Sequence, residues 1–467
     1  MASIVFLQRD PIEWLGIMYL SSMLKKHGHR TAVVIESLED NGCTDRALQE
    51  GADIFAFSPL VTDIQWAMNM ISTLKAHSDA LVVLGGTHVT LNSEETLANP
   101  AVDVVCRGEG EHPFLELAEA VDSGLDWSAI PNLWVRRNGG IVRNDLRHLV
   151  ENLDSLPFPD RTLYARYPTL RRWGKRPLHM GRGCPYACSY CHNASKRELI
   201  AHKGRYVRWR TVGSVLAEVE ELTRTTFFKV LHFVDDGFGI NQDWLMEFLP
   251  ALSALVEDPP AIFANMRADM VTEELCVAFE RYGSDRMRLR IAVECGDEEY
   301  RRQVLQKTIT DADLRRAAAL FHRHGIGFAT YNMVGLPGES LEQAVSTLRL
   351  NVELRPAEAF CFIYQPFPGT QLANLALDSG AIDAAALAGA GAEGFRGYFE
   401  SFSPLRQANI VQLENVQRLF GLVVKVPALF PLARRLVAAG WLAPLFRQIY
   451  RAHLRMTVHR RRRVDGY

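Results

Sequence analysis

Apolar strand-like runs alternate with amphipathic helical segments in two separate series, and that alternation constrains the fold more than any other feature of the sequence. Before about residue 120 the runs are "SIVFL", "TAVVI", "DIFAF", "ALVVLGG" and "DVVCRG". Strands regularly separated by helices predict a parallel sheet covered on both faces. The first helix, "IEWLGIMYLSSMLKKHG", is locally consistent: Lys25, Lys26 and His27 suit the negative end of its dipole, and Gly28 suits the left-handed C′ position. Residues 121–175, with "RRNGGIV" and "LDSLPFPDRTLY", read as a small hairpin and an extended linker.

The second series runs through "RPLHMGRG", "KVLHFVDD", "AIFANMRA", "RLRIAVECG", "IGFATYNMVGLPGE" and "AFCFIYQPFPG". Six such units suggest an incomplete (β/α) barrel, whose chemistry belongs at the C-terminal ends of its strands. Beyond about residue 370 the pattern is helical. The segment "GLVVKVPALFPLARRLVAAGWLAPLF" is interrupted by Lys425, Pro427, Pro431, Arg434 and Arg435, which argues against a spanning helix. With "HRRRR" at 459–463 it offers either a peripheral membrane contact or, the preferred reading, a packed helical cap with a solvated basic end. The expected divisions are 1–125, a hairpin and linker at 126–174, a barrel at 175–370 and a helical region at 371–467.

A formal charge of -2 argues against a general nucleic-acid binder. The opening "MASIVFLQRDPIEW" lacks the basic stretch and cleavage site of a signal peptide, so a cytoplasmic protein is expected. Of eight cysteines, Cys43, Cys106, Cys276, Cys295 and Cys361 are scattered singly, as reduced core thiols would be. The other three stand together in "GRGCPYACSYCHN", in the loop after the first barrel strand.

Structural zinc takes four closed ligands, usually as two separated pairs. Cys184, Cys188 and Cys191 form a single CxxxCxxC group, and His192 follows Cys191 too closely to reach the same ion without strain. Three thiolates suit a [4Fe-4S] cluster with one iron left free of protein ligands, open to a substrate.

This signature resembles the radical S-adenosylmethionine (SAM) superfamily. "FVDDGFGIN", "MRADMVTEEL", "IAVECGDEEYRRQVLQK" and "YNMVGLPGESLEQA" resemble, in order, segments of its cobalamin-binding branch. The resemblance implies that SAM chelates the free iron and is cleaved reductively to methionine and a 5′-deoxyadenosyl radical, with an electron donor such as flavodoxin or ferredoxin. It also implies that Tyr190 lies beside the adenine, that Asp235 and Asp236 accept from SAM's ammonium, and that Glu294 lies beside its methionine or ribose portion. Arg267 would neutralise the SAM carboxylate or orient Glu294, and the Gly335 and Gly338 turn would approach the adenine edge. Cys295 stands where many relatives have serine or threonine, either as a hydrogen donor or as a small-residue replacement.

The first series resembles flavodoxin-like (Rossmann-like) cobalamin-binding domains, with Ser58 and Leu60 for their SxL signal and Gly85 and Gly86 for their GG signal. "DPIEWLG" keeps Asp10 and Gly16 of the DxHxxG signal but has no histidine for cobalt. Methylthiotransferases, a competing branch, need three further N-terminal cysteines; this segment has Cys43 and Cys106. The expected architecture is therefore an α/β cobalamin-binding domain, a partial (β/α)6 radical SAM barrel and a helical C-terminal region. The expected activity is cobalamin-dependent methyl transfer to an unactivated carbon of a small-molecule or lipid-like metabolite. The alternatives are a radical cyclisation, ring contraction or rearrangement with the same cofactors, and a non-enzymatic cobalamin-responsive binding module.

Overall fold

A computed structural model describes residues 1–39, 42–172, 174–393 and 402–464, with the backbone alone for 171, 389–393 and 456–464. It divides into two compact units, Met1–Arg172 with His192–Arg210 and Trp173–Cys191 with Thr211–Tyr467.

The first unit holds a seven-stranded sheet, with β1 Ser3–Gln8, β2 Arg30–Ile35, β3 Ile54–Phe57, β4 Leu81–Leu84, β5 Val104–Cys106, β6 Leu133–Arg137 and β7 Gly140–Arg143. Their order is β2-β1-β3-β4-β5-β6-β7. The first five strands are parallel in the 2-1-3-4-5 order of flavodoxin-like sheets, which places a ligand crevice where the order reverses, beside β1 and β3. Residues Ser3–Gln8 are all buried, as expected of a parallel strand covered on both sides. Phe55, Phe57, Val82 and Leu84 pack with Ala67, Ile71 and Leu74 of the helix Ile64–Lys75. The first helix, Leu15–Lys26, ends as its sequence suggests: the Gly28 and His29 N–H groups donate to Lys25 and Leu24, with Gly28 at φ 84°. The hairpin does not stand apart as a connecting piece. β6 pairs antiparallel with β5 at Val135↔Val104, so the sheet continues through it, and the first unit extends to Arg172 and takes back residues 192–210.

The second unit is a run of six parallel strands in sequential order: Lys175–Leu178, Val230–Phe238, Ala261–Met266, Met287–Glu294, Phe328–Val334 and Glu358–Ile363. Strand alternation sorts the fourth strand into buried Leu289, Ile291 and Val293 and half-buried Arg288, Arg290 and Ala292. On the half-buried face the Arg290 guanidinium lies 4.2 Å over the Phe263 ring and donates to the Tyr331 hydroxyl. Beyond the last strand, the helix Ile410–Lys425 buries Leu413, Val416 and Phe420 against Val334, Leu348 and Ile363. Ala433, Val437 and Phe446 join the same core, which makes this region a packed cap. The side chains of "HRRRR" lie outside the described residues. No single described helix is long and apolar enough to cross a membrane.

Candidate active site

Cys184, Cys188 and Cys191 are the three half-buried cysteines; the other five are buried. Their loop is pinned by backbone and hydroxyl bonds: Cys191 N–H donates to Cys188 O (3.0 Å), Ser189 N–H to Leu305 O (3.0 Å) and Ser189 Oγ to Val304 O (2.7 Å). Tyr186 is covered by the Arg267 guanidinium, 3.4 Å from its ring centroid. Burial pushes the Cys184 thiol up, and the nearby Asp236 carboxylate adds to this. Among the described residues no three His, Cys, Asp or Glu side chains converge as ligands of one ion would. Three half-buried thiols on one short loop supply the thiolate donors that an iron-sulfur cluster takes. The donor set therefore fits a [4Fe-4S] cluster.

The segment that receives this loop also carries the main polar network. Glu294 ends the fourth strand at φ 67°, a left-handed conformation that is unfavourable for a side chain of this size. Its Oε1 accepts from the Tyr190 hydroxyl at 2.9 Å and from Lys307 Nζ at 3.3 Å, while Lys307 Nζ lies 3.3 Å from the Tyr190 oxygen. Lys307 is 3% exposed. Burial, with the Glu294 carboxylate behind it, holds the Tyr190 hydroxyl well above its ordinary range. The connection from Glu294 to Lys307 is tied internally by Arg301, which is fully buried and donates to Cys295 O (2.5 Å), Ile309 O (2.8 Å) and Asp311 Oδ1 (2.7 Å). Sequence reasoning missed Lys307, and also Arg301. One signal was available in both cases, a basic residue shortly after a strand-end carboxylate in "VECGDEEYRRQVLQK".

The remaining candidates part company. Asp235 is buried and turned to backbone, accepting from Met180 and Gly181 N–H at 3.0 and 2.8 Å, and burial pushes its carboxyl up to about 7. Asp236 projects from the opposite side of the strand and is exposed, so the two carboxylates face different surroundings. Arg267 forms a two-pronged ion pair with Asp269 (3.0 and 2.8 Å); the cation that meets Glu294 is Lys307. Cys295 is fully buried among Tyr300, Leu336 and Leu372, with its thiol pushed up to about 12 by burial, which favours the small-residue reading over a hydrogen donor.

Gly335 and Gly338, at φ 77° and 74°, frame a turn whose peptide groups are met by side chains. Glu339 Oε2 accepts from Gly335 and Leu336 N–H, and burial raises this carboxyl to about 8. Gln407, from the C-terminal region, accepts from Gly338 N–H at 2.8 Å and donates to Leu336 O at 3.1 Å. Gln407 also escaped the sequence reading, since nothing local marks a glutamine as the partner of a turn 70 residues earlier.

In the first unit Ser58 follows β3 and Gly85 follows β4, and Gly85 N–H donates to Phe57 O at 2.9 Å. The two loops therefore lie side by side at the strand ends. A Cβ on Gly86 would sit 2.7 Å from Ser58 Oγ, and Gly86 has φ 92°, so only glycine fits there. Ser58 is exposed and Leu60 half-buried. A bare backbone with an accessible hydroxyl beside it, near the point where strand order reverses, fits a large nucleotide tail such as that of cobalamin. Cys43 and Cys106 are buried, with thiols pushed up to about 12 by burial, and cannot form the three-cysteine site of a methylthiotransferase.

Comparison with known proteins agrees with both halves. The family model "Radical SAM superfamily" matches residues 178–350 and "B12 binding domain" matches residues 9–118. An uncharacterized methyltransferase of Pyrococcus horikoshii is 26% identical over 379 residues, covering 78% of this chain and 78% of that protein. The anaerobic magnesium-protoporphyrin IX monomethyl ester cyclase of Rubrivivax gelatinosus is 24% identical over 383 residues, covering 78% of this chain and 65% of that protein. The solved structure of the radical SAM methyltransferase TsrM from Kitasatospora setae, with tryptophan and a SAM analogue bound, is similar in fold (TM-score 0.67, 18% identity, 82% of this chain and 77% of that one). With a three-cysteine loop on a parallel half-barrel and a flavodoxin-ordered sheet ahead of it, each matched by its own family model, the chain carries a B12-binding domain followed by a radical SAM domain.

Proposed function

We propose that this protein is a cobalamin-dependent radical SAM methyltransferase acting on an unactivated carbon of a small molecule. The observation that carries the proposal is the presence of both cofactor-holding elements in one chain: the half-buried thiols of Cys184, Cys188 and Cys191, and the Gly86 backbone bared beside Ser58. When bound, the cluster, SAM and cobalamin together supply a carbon radical and a transferable methyl group.

The residues of the chain do the holding. The three cysteines would hold the cluster, which would supply the site at which SAM is reduced. Glu294, steadied by Lys307 and Tyr190, offers a fixed acceptor to the sugar or methionine end. Asp236 supplies an exposed carboxylate for the ammonium, while Asp235 fixes the strand-to-loop backbone at Met180 and Gly181. Arg267 holds Tyr186 over the cysteine loop, and the Gly335 and Gly338 turn presents backbone to the adenine. An electron donor of the flavodoxin or ferredoxin type would serve as reductant.

Methyl transfer is separated from cyclisation by labelling. Incubation with reductant, hydroxocobalamin, methyl-deuterated SAM and a small-molecule extract is expected to give a deuteromethylated product. 5′-Deoxyadenosine formation with no labelled product would favour rearrangement and defeat the proposal. The cobalamin part has its own test, because a side chain at Gly86 fills the space beside Ser58. Gly86→Val is expected to lose the cobalt absorbance that follows the parent protein through gel filtration, with iron content unchanged. Undiminished absorbance in the variant would remove Gly86 from the cobalamin site.

A further inference from the structure

Although the whole chain has a formal charge of -2, residues 415–464 contain eleven Lys and Arg and no Asp or Glu. Charge concentrated in this way makes the cap strongly cationic. Its apolar residues fall into two sets. One set, including Phe420, Val437 and Phe446, closes the core against the barrel. The other is left outside: Val426, Leu432, Trp441 and Leu445 are 43%, 56%, 81% and 49% exposed. None of these four is among the residues of that core.

Their positions are orderly. Trp441 lies in the short turn Gly440–Leu442 that leads into the helix carrying Leu445, and Leu432 lies on the short helix Phe430–Leu436 beside exposed Arg434 and Arg435. The stretches Pro427–Leu436 and Gly440–Arg455 meet at 118°, and no single described helix here has the length and apolarity of a span. An apolar, tryptophan-bearing bend with exposed arginines on one of its arms matches what lies on a bilayer surface rather than across it.

We propose that this cap docks peripherally on an anionic lipid surface, with Leu432, Trp441 and Leu445 entering the headgroup layer and Arg434 and Arg435 meeting lipid phosphates. A polyanion such as nucleic acid would satisfy the arginines but leave the leucines and tryptophan in water. A bilayer interface accepts both. The inference does not depend on the reaction proposed above, and a failure of SAM cleavage would leave it standing.

The test is co-sedimentation of the full chain with vesicles of phosphatidylcholine and phosphatidylglycerol, against vesicles of phosphatidylcholine alone. Binding is expected to the mixed vesicles, falling with salt and weak on the neutral ones. Trp441→Ser, at an exposed site that leaves the fold intact, is expected to lower partitioning about tenfold through lost apolar burial. The double variant Arg434→Ala, Arg435→Ala is expected to lower it by a similar factor or more. Three results would overturn the proposal: no sedimentation with mixed vesicles, parent-like binding of Trp441→Ser, or tighter retention on an RNA homopolymer than on the vesicles.

Discussion

Cys188→Ala is expected to abolish reductive cleavage of SAM while leaving a folded protein. Under dithionite, 5′-deoxyadenosine falls to background, and iron and sulfide in anaerobically purified protein fall well below the four of each expected in the parent. The reason is the inequality among the eight cysteines. Five are buried thiols that contribute packing; Cys276, for example, is fully buried with its thiol pushed up to about 12 by burial. Cys276→Ala is therefore the matched control: it removes more buried volume, costs about 1 kcal/mol or more of stability, and leaves SAM cleavage in place. Cys188 is half-buried on a loop whose backbone is anchored elsewhere, by Ser189 to Val304 and Leu305. Alanine there keeps the loop and removes a ligand. A parent protein that purifies with one tetrahedral zinc, or a Cys188→Ala variant with full iron, would defeat the assignment.

What the sequence disclosed and what it concealed follow one physical line. Elements whose logic is local were legible: the strand runs, the helix closed by Gly28, the spacing of Cys184, Cys188 and Cys191, and glycines at strand ends where backbone must be approached closely. Partners brought together only by the fold were not. Lys307 reads as an ordinary loop lysine until Arg301 bends its segment back on Cys295 and Ile309. Gln407 gains meaning only when the cap reaches the Gly335 turn. Asp235 and Asp236 were both expected, from the resemblance, to accept from SAM's ammonium, but a strand sends neighbours to opposite faces. Residues 192–210 follow the cysteine loop directly and yet belong to the first unit, an excursion that no composition shift announces.

Replacing Lys307 with methionine is expected to be the most damaging change outside the cysteine loop. Lys307 and Glu294 are both buried, and removing one partner of a buried ion pair costs about 3–5 kcal/mol, because the other charge is left without compensation. For a domain of this size that corresponds to a fall in Tm of roughly 10 °C. Stability alone would not distinguish a structural lysine from one that serves the site, so the informative measurement is SAM affinity. Glu294 already sits in a left-handed conformation, and Lys307 and Tyr190 are the partners that fix its carboxylate. Losing an orienting partner of this kind typically costs about 10–100-fold in binding, and the Kd for SAM is expected to rise by that order in Lys307→Met. Lys307→Arg keeps the charge at a different length and should recover stability more fully than affinity. The double variant Lys307→Met, Glu294→Gln decides between the two roles. Once the unpaired carboxylate is gone the Tm should return most of the way, whereas SAM binding should stay weak because the acceptor has lost both its charge and its anchor. If Lys307→Met binds SAM as tightly as the parent while losing stability, the network is a core ion pair and Glu294 must be removed from the SAM site.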